Sequence, residues 1–331
     1  MMIALSLQTP WRFVGIILVT SAFVAAAAAQ PQQTYPNRPI RFVVPSATGG
    51  SNDISARLFG QKMAESFGQQ VVIDNRAGAG SIIGTDLVAK SSPDGYTLLL
   101  QSTEVTIIAS LFKKLPFDIT KDLAPVTLLA SFPLLLVIHP SLEAKSLQEL
   151  IALAKARPGQ VNYASNGNGT ISHISAEMFK SMTGINLVHV PYKGAAPALT
   201  AILAGETGLG FYTVSATLQN IKAGRFRALA TSGAKRAPSL PDLPTFAEAG
   251  LPGYDTGSWA GVFVRAGTPK PIIAKLHAEL KRILHLSEIQ ERFVAFDWES
   301  VGNTPEEFAI LVQKEMAKWT KVIRDAQIKA D

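Results

Sequence analysis

The sequence has no cysteine in its 331 residues. That excludes a disulfide framework and any cysteine metal site. Its five histidines, His139, His173, His189, His277 and His285, show no metal-ligand spacing, and no tight acidic cluster accompanies them. No metal and no cofactor are expected. Basic stripes are also lacking: Lys113-Lys114 and Lys235-Arg236 are the only tight pairs of note, which argues against a nucleic-acid partner despite a formal charge of +6. There is no G-x-S-x-G elbow, no internal repeat of short period, and no low-complexity tract beyond a run of alanines near the start.

What is present begins with that run. Arg12 precedes an apolar stretch over residues 13–29, which closes in Ala27-Ala28-Ala29-Gln30. This reads as a signal peptide (residues 1–29) cleaved after Ala29, leaving a periplasmic protein. A stretch of ~17 residues is near the lower limit for a membrane span, and no basic stop-transfer cluster follows it. Cleavage leaves about 300 residues, enough for two lobes. Apolar residues at 47 % fill ordinary cores, so the chain relies on packing rather than cross-links.

Strand-like and helix-like segments alternate along nearly all of the remainder. Strands are expected over 39–45, 71–74 and 96–101, with helices over 52–67 and 81–90 between them. This βαβαβ order implies a parallel sheet with right-handed crossovers. Further strands are expected over 126–130 and 134–139, with a first crossing between lobes at Ser131-Phe132-Pro133. A second sheet should draw on 161–165, 185–190, 209–214 and 227–231. Its helices are expected over 146–156, 170–183, 195–204 and 215–223. Residues 235–257 are rich in Pro and Gly and read as a return connection with a short helix near 246–249. A strand over 260–265 and helices over 270–284, 287–294 and 304–325 follow. Thr304-Pro305-Glu306-Glu307 is a helix start: a cap, a first-turn proline, then acids at the positive end. The fold class is α/β: a discontinuous lobe 1 (30–131 plus 254–331) and a lobe 2 (132–253), joined by two crossing strands.

Two glycine loops stand where a strand ends and a helix begins. The first is Pro45-Ser46-Ala47-Thr48-Gly49-Gly50-Ser51-Asn52. The second is Ser165-Asn166-Gly167-Asn168-Gly169-Thr170. Unpaired N–H groups and the helix dipole favour an anion at such places, and glycine lets the backbone approach a ligand. Ligands of open α/β sheets bind at the carboxyl ends of strands, and hinge closure can trap a ligand between two lobes. Candidate ligand residues are therefore Ser46, Ala47, Thr48, Gly49, Gly50 and Asn52 in the first loop. Ser165, Asn166, Gly167, Gly169 and Thr170 are their counterparts in the second.

Other residues carry weaker signals. Asp53 lies in the first helical turn, where a carboxylate more often stabilises the dipole than meets a ligand. His173 reads first as a neutral histidine packed under its loop, and second as a ligand contact. Lys193, in Val190-Pro191-Tyr192-Lys193-Gly194, either attracts an anion or is a solvated charge. Tyr212 and Trp259 either wall the cleft or pack in a core. Gly78-Ala79-Gly80-Ser81-Ile82-Ile83-Gly84 has the wrong spacing for a dinucleotide fingerprint and reads as a tight loop.

These stretches also carry a family resemblance. The matching motifs include Tyr35-Pro36-Asn37-Arg38-Pro39-Ile40-Arg41, Gly49-Gly50-Ser51-Asn52-Asp53 and Asp74-Asn75-Arg76-Ala77-Gly78-Ala79-Gly80. They continue through Pro93-Asp94-Gly95-Tyr96-Thr97-Leu98-Leu99, the second loop with His173, and Val190-Pro191-Tyr192-Lys193-Gly194. Pro244-Thr245-Phe246-Ala247-Glu248-Ala249-Gly250 and Thr304-Pro305-Glu306-Glu307-Phe308 complete a set that spans nearly all of the chain. In combination the chain resembles the substrate receptors of tripartite tricarboxylate transporters, the Bug proteins. The resemblance implies a Venus-flytrap periplasmic binding fold, type II-like, and capture of a small carboxylate through backbone amides and ordered water. It departs from the family at Thr48, at Thr106-Ile107-Ile108-Ala109 and at Tyr212, where the family more often has proline, a Thr-Ile-Asn-Pro pattern and an acidic residue.

The expected function is that of a non-enzymatic, monomeric extracytoplasmic receptor. It would bind a di- or tricarboxylate, an amino acid or an aromatic acid, and deliver it to the membrane permease subunits of a tripartite transporter. Two alternatives stand beside this: a ligand sensor for a signalling partner, and a periplasmic hydrolase using Ser165 and His173.

Overall fold

Strand β1 (Ile40–Val44) is a β-branched and aromatic run, buried at every position but Arg41. A run of that kind needs cover on both faces, as a parallel sheet flanked by helices provides. The structure is a computed structural model describing residues 35–329; the signal segment expected over 1–29 lies outside the described residues. Helix α1 (Ser51–Phe67) follows β1 and stops at Gly68, whose left-handed backbone lets its N–H reach the Ala64 carbonyl. Then come β2 (Val71–Asn75), a tight turn over Ala79–Ser81, α2 (Ile82–Ala89) and β3 (Thr97–Ser102). β1 pairs in parallel with both β2 and β3, as the βαβαβ order requires.

Next are α3 (Glu104–Leu111), α4 (Ile119–Asp122), β4 (Leu123–Phe132) and β5 (Leu134–Ile138). β4 belongs to the first sheet and β5 to the second, so the chain changes sheets at Pro133. The second sheet is built with α5 (Leu147–Ala156), β6 (Val161–Ser165), α6 (Ile171–Thr183), β7 (Leu187–Pro191), α7 (Ala195–Leu203), β8 (Leu209–Thr213), α8 (Val214–Lys222) and β9 (Arg227–Thr231). The chain returns through β10 (Ser258–Arg265) and ends in α9 (Lys270–Leu284), α10 (Ser287–Ala295), β11 (Glu299–Ser300) and α11 (Pro305–Asp325). The strand orders are β11-β4-β10-β3-β1-β2 and β7-β6-β8-β5-β9. β10 runs antiparallel to β3 and β4. β6 is parallel to β7 and β8, whereas β5 opposes β8 and β9.

Two expectations need correction. The short helix expected near 246–249 is a single turn, closed by reciprocal bonds: Thr245 N–H donates to Glu248 Oε2 (2.8 Å) and Glu248 N–H to Thr245 Oγ1 (3.1 Å). Phe246 beside it joins Phe179, Phe211 and Tyr254 in an aromatic cluster, so packing rather than helix formation fixes the connection. The second is α3, unforeseen because Val105-Thr106-Ile107-Ile108 is a β-branched run, poor in helix propensity, that burial against neighbouring helices overrides.

The last helix reaches both cores. α11 opens with a full capping box between Thr304 and Glu307. Its Phe308 and Val312 pack in the core under the first sheet. Phe308 lies against Gly261, where a Cβ would come within 2.3 Å of the ring. Trp319 and Ile323, further along, join the core that holds Leu136 and Phe211 of the second sheet and Phe246 of the return connection. Among the described residues no helix is long and apolar enough to cross a membrane.

Candidate functional site

Because β1, β2 and β3 run in one direction, their carboxyl ends share an edge; so do those of β6, β7 and β8. The two edges meet. Ser51 Oγ and Thr213 Oγ1 are 3.2 Å apart. A Cβ on Gly194 would lie 3.3 Å from Ala47 Cβ, and one on Gly169 would lie 3.3 Å from Leu111. The starts of α1, α6, α7 and α8 all lie here. None has a side-chain cap bond. Of the helices that start elsewhere, α4, α5 and α11 are capped by Asp118, Ser146 and Thr304, whereas α9 and α10 have no side-chain cap bond either. An uncapped start turns the positive dipole end toward an anion, although at α6 the Ile171 N–H already donates to Glu104 Oε1 and the N–H groups of Asn166, Gly167 and Gly169 are bonded within the loop.

The first loop is held from beneath by Asp53. This buried carboxylate accepts from Gly49 N–H (2.9 Å), Arg57 Nε (3.0 Å) and Asn75 Nδ2 (3.0 Å). Burial pushes its carboxyl up, but the bonds from Arg57, Gly49 and Asn75 outweigh that and leave it below its ordinary range. Asp53 is thus occupied as a staple. Asn75 Nδ2 also donates to the Ser46 carbonyl (3.2 Å). Ser46 Oγ is buried without a partner, whereas Thr48 and Gly49 are exposed. Asn52 Nδ2 donates to Ser102 Oγ (3.1 Å) at the end of β3.

The second loop folds on its own side chains. Ser165 Oγ accepts from Gly167 N–H (3.1 Å) and lies 2.6 Å from His189 Nε2. Thr170 Oγ1 donates to the Gly167 carbonyl (2.7 Å), and Asn166 N–H donates to Ser172 Oγ (2.9 Å). Gly169 N–H donates to His173 Nδ1 (3.2 Å). The rings of His173 and His189 stack 4.2 Å apart, and His189 stacks on Tyr163 at 4.8 Å. His173 therefore lies beneath the loop and supports its backbone. Gly167 and Gly169 take φ of +126° and +75°, which side chains resist.

Tyr212 and Trp259, either wall or core on the sequence, both lie buried in the layers. Tyr212 is 2 % exposed, and its hydroxyl donates to the Ala164 carbonyl (3.2 Å). Burial pushes its phenol well above the usual range. Trp259 is 5 % exposed and packs edge-on to Phe308 at 5.4 Å. The cause is general: side chains of a strand covered on both faces point sideways into those layers, so only the residues beyond its end reach the edge. Lys193 is exposed at the end of β7. Ser165, moreover, is fully buried and pairs with His189 rather than His173.

Sequence reasoning missed several residues that the fold brings here. Ser102 and Glu104 follow β3: Ser102 Oγ donates to the Glu104 carboxylate, and Ile171 N–H donates to Glu104 Oε1 at 3.5 Å. Gly80, in the turn after β2, faces the Asn168 carbonyl, 2.8 Å from a built Cβ. Thr213 faces Ser51. The signal was the parallel order itself, which obliges the residues after β2, β3 and β8 to share an edge with the loops.

Comparisons with known proteins agree with this architecture. The sequence profile of the tripartite tricarboxylate transporter family receptor matches residues 55–328. The chain is 38 % identical over 318 residues to protein BugT of Bordetella pertussis, covering 96 % of this chain and 97 % of that protein. Rpa4515 of R. palustris, solved with adipate, superposes with a TM-score of 0.86 at 36 % identity, over 89 % of this chain and 99 % of the other. MatC from Rhodopseudomonas palustris, solved with bound malate, gives 0.83 at 33 % identity, over 87 % and 100 %.

Proposed function

The chain belongs to the tripartite tricarboxylate transporter receptor family, that of the Bug proteins, and on that footing we propose that it captures a small carboxylate between its two sheets and hands it to the membrane permease of such a transporter. Lobe 1 comprises 30–131 and 254–331, lobe 2 comprises 132–253, and the receptor works as an exported monomer freed of its first 29 residues. One ligand carboxylate rests on backbone N–H and hydroxyl groups of 165–170. The other end meets 46–52, directly or through water.

The supporting observation is the meeting of four uncapped helix starts, those of α1, α6, α7 and α8. Two structurally similar relatives hold the small carboxylates adipate and malate. Titration calorimetry of residues 30–331 against mono-, di- and tricarboxylates tests the reading. Saturable binding of at least one acid, recovered unchanged, is expected. No binding by protein freed of endogenous ligand by refolding refutes it. Loss of uptake of that acid by cells lacking the gene tests the permease step.

A further inference from the structure

We propose that Glu104 makes this receptor select a carboxylate that also carries an ammonium group, an inference that rests on the carboxylate reading above. Glu104 opens α3 at the end of β3, at the edge where the loops converge. Among the described residues its carboxylate is met by two donors, both uncharged: Ser102 Oγ and the backbone N–H of Ile171. Ser102 is tied in turn to Asn52 beside the first loop. Ile171 is the first residue of α6, the helix that opens from the second loop. A half-buried negative charge thus stands against one of the helix starts assigned to the ligand, and among the described residues no side-chain cation pairs with it.

That placement discriminates by charge. A ligand carboxylate on the start of α6 comes close to the Glu104 carboxylate, and like charges at short range disfavour one another. An ammonium one carbon from the ligand carboxylate removes the conflict, because it can reach Glu104 while the acid group stays on the backbone N–H groups. It also gives Glu104 the cationic partner that the protein withholds. A dicarboxylate without the ammonium brings repulsion and no such bond. Glu104 is therefore a specificity residue.

The test is calorimetry at pH 7.5 with two pairs that differ at one carbon: adipate against 2-aminoadipate, and malate against aspartate. The wild type should bind the amino member of at least one pair ten-fold or more tightly than its partner. Glu104→Gln, which keeps the size and the acceptor oxygen, should erase that preference, and Glu104→Asp should retain part of it. Tighter binding of the plain dicarboxylates by the wild type, or a preference unchanged in Glu104→Gln, overturns the assignment of Glu104 and leaves the receptor reading standing. Absence of binding by all four acids overturns the assignment of Glu104 where another carboxylate binds, and overturns both readings where none does.

Discussion

Gly80→Ala separates the contact between the turn and the second loop from simple backbone strain. Gly80 has φ +60°, and a Cβ there would stand 2.8 Å from the Asn168 carbonyl oxygen. Gly68, at the end of α1, has nearly the same φ, +63°, with nothing within 4 Å of a built Cβ. Alanine at either site incurs the left-handed penalty of about 1–2 kcal/mol. At Gly80 it also overpacks against rigid backbone, about 1–3 kcal/mol more. The penalty is present whether or not ligand is bound. The overpacking exists only while the turn and the second loop are together, as the ligand requires. Gly80→Ala should then weaken ligand binding roughly 5- to 150-fold, and Gly68→Ala should leave it unchanged. Both should melt earlier, by roughly 2–4 °C per kcal/mol. Titration and scanning calorimetry on the two variants read both effects. Equal affinity of Gly80→Ala and Gly68→Ala would refute the reasoning, since the approach of Gly80 to Asn168 would then play no part in the bound state.

Three other outcomes follow from the same contacts. Gly169→Val puts a branched side chain at φ +75° beside Leu111 and Phe112; it should abolish carboxylate binding while circular dichroism stays native, and undiminished affinity would count against the second loop. Asp53→Asn should destabilise the protein at neutral pH by an amount that shrinks in acid. The folded-state carboxyl titrates below its usual range, so its contribution is full above about pH 4 and fades as pH falls through the folded value; urea unfolding at pH 7 and pH 3 measures this, and a deficit that grows in acid contradicts it. Tyr212→Phe should cost about 1 kcal/mol of stability through the lost bond to Ala164 and leave affinity unchanged, whereas a ten-fold weaker ligand would return Tyr212 to the cleft.

Much of the fold was legible because its strands are short, β-branched and separated by glycine or proline. β6 and β9 fall on the expected boundaries, and so does α9. The loops were legible because a strand that ends in small polar residues and glycine before a helix has few other uses. The side chains at the edge were harder to read. Tyr212 sits at the penultimate position of its strand, but Gly210 leaves space under it: a Cβ there would be 2.3 Å from the Tyr212 ring. The ring folds back into the layer instead of reaching forward. Glu104 was hidden for the opposite reason. Nothing local marks it, and it acquires its place only when β3 lies beside β1 and α6 arrives from the other sheet. Pairwise contacts between distant segments decide such positions, and no local pattern encodes them.

The two-ended anchoring of α11 bears on how the molecule comes into being. The helix has 21 residues, roughly 31 Å at 1.5 Å per residue, and it completes one core with Phe308 and another with Trp319. β10 and β11 close the first sheet just before it. As the chain leaves the ribosome, neither core can therefore finish until the segment after residue 257 has emerged, although all five strands of the second sheet were made before it. Native pairing waits on the last part to be synthesised. Until then the growing chain remains an incompletely packed polymer, open to whichever chaperone or translocase reaches it first.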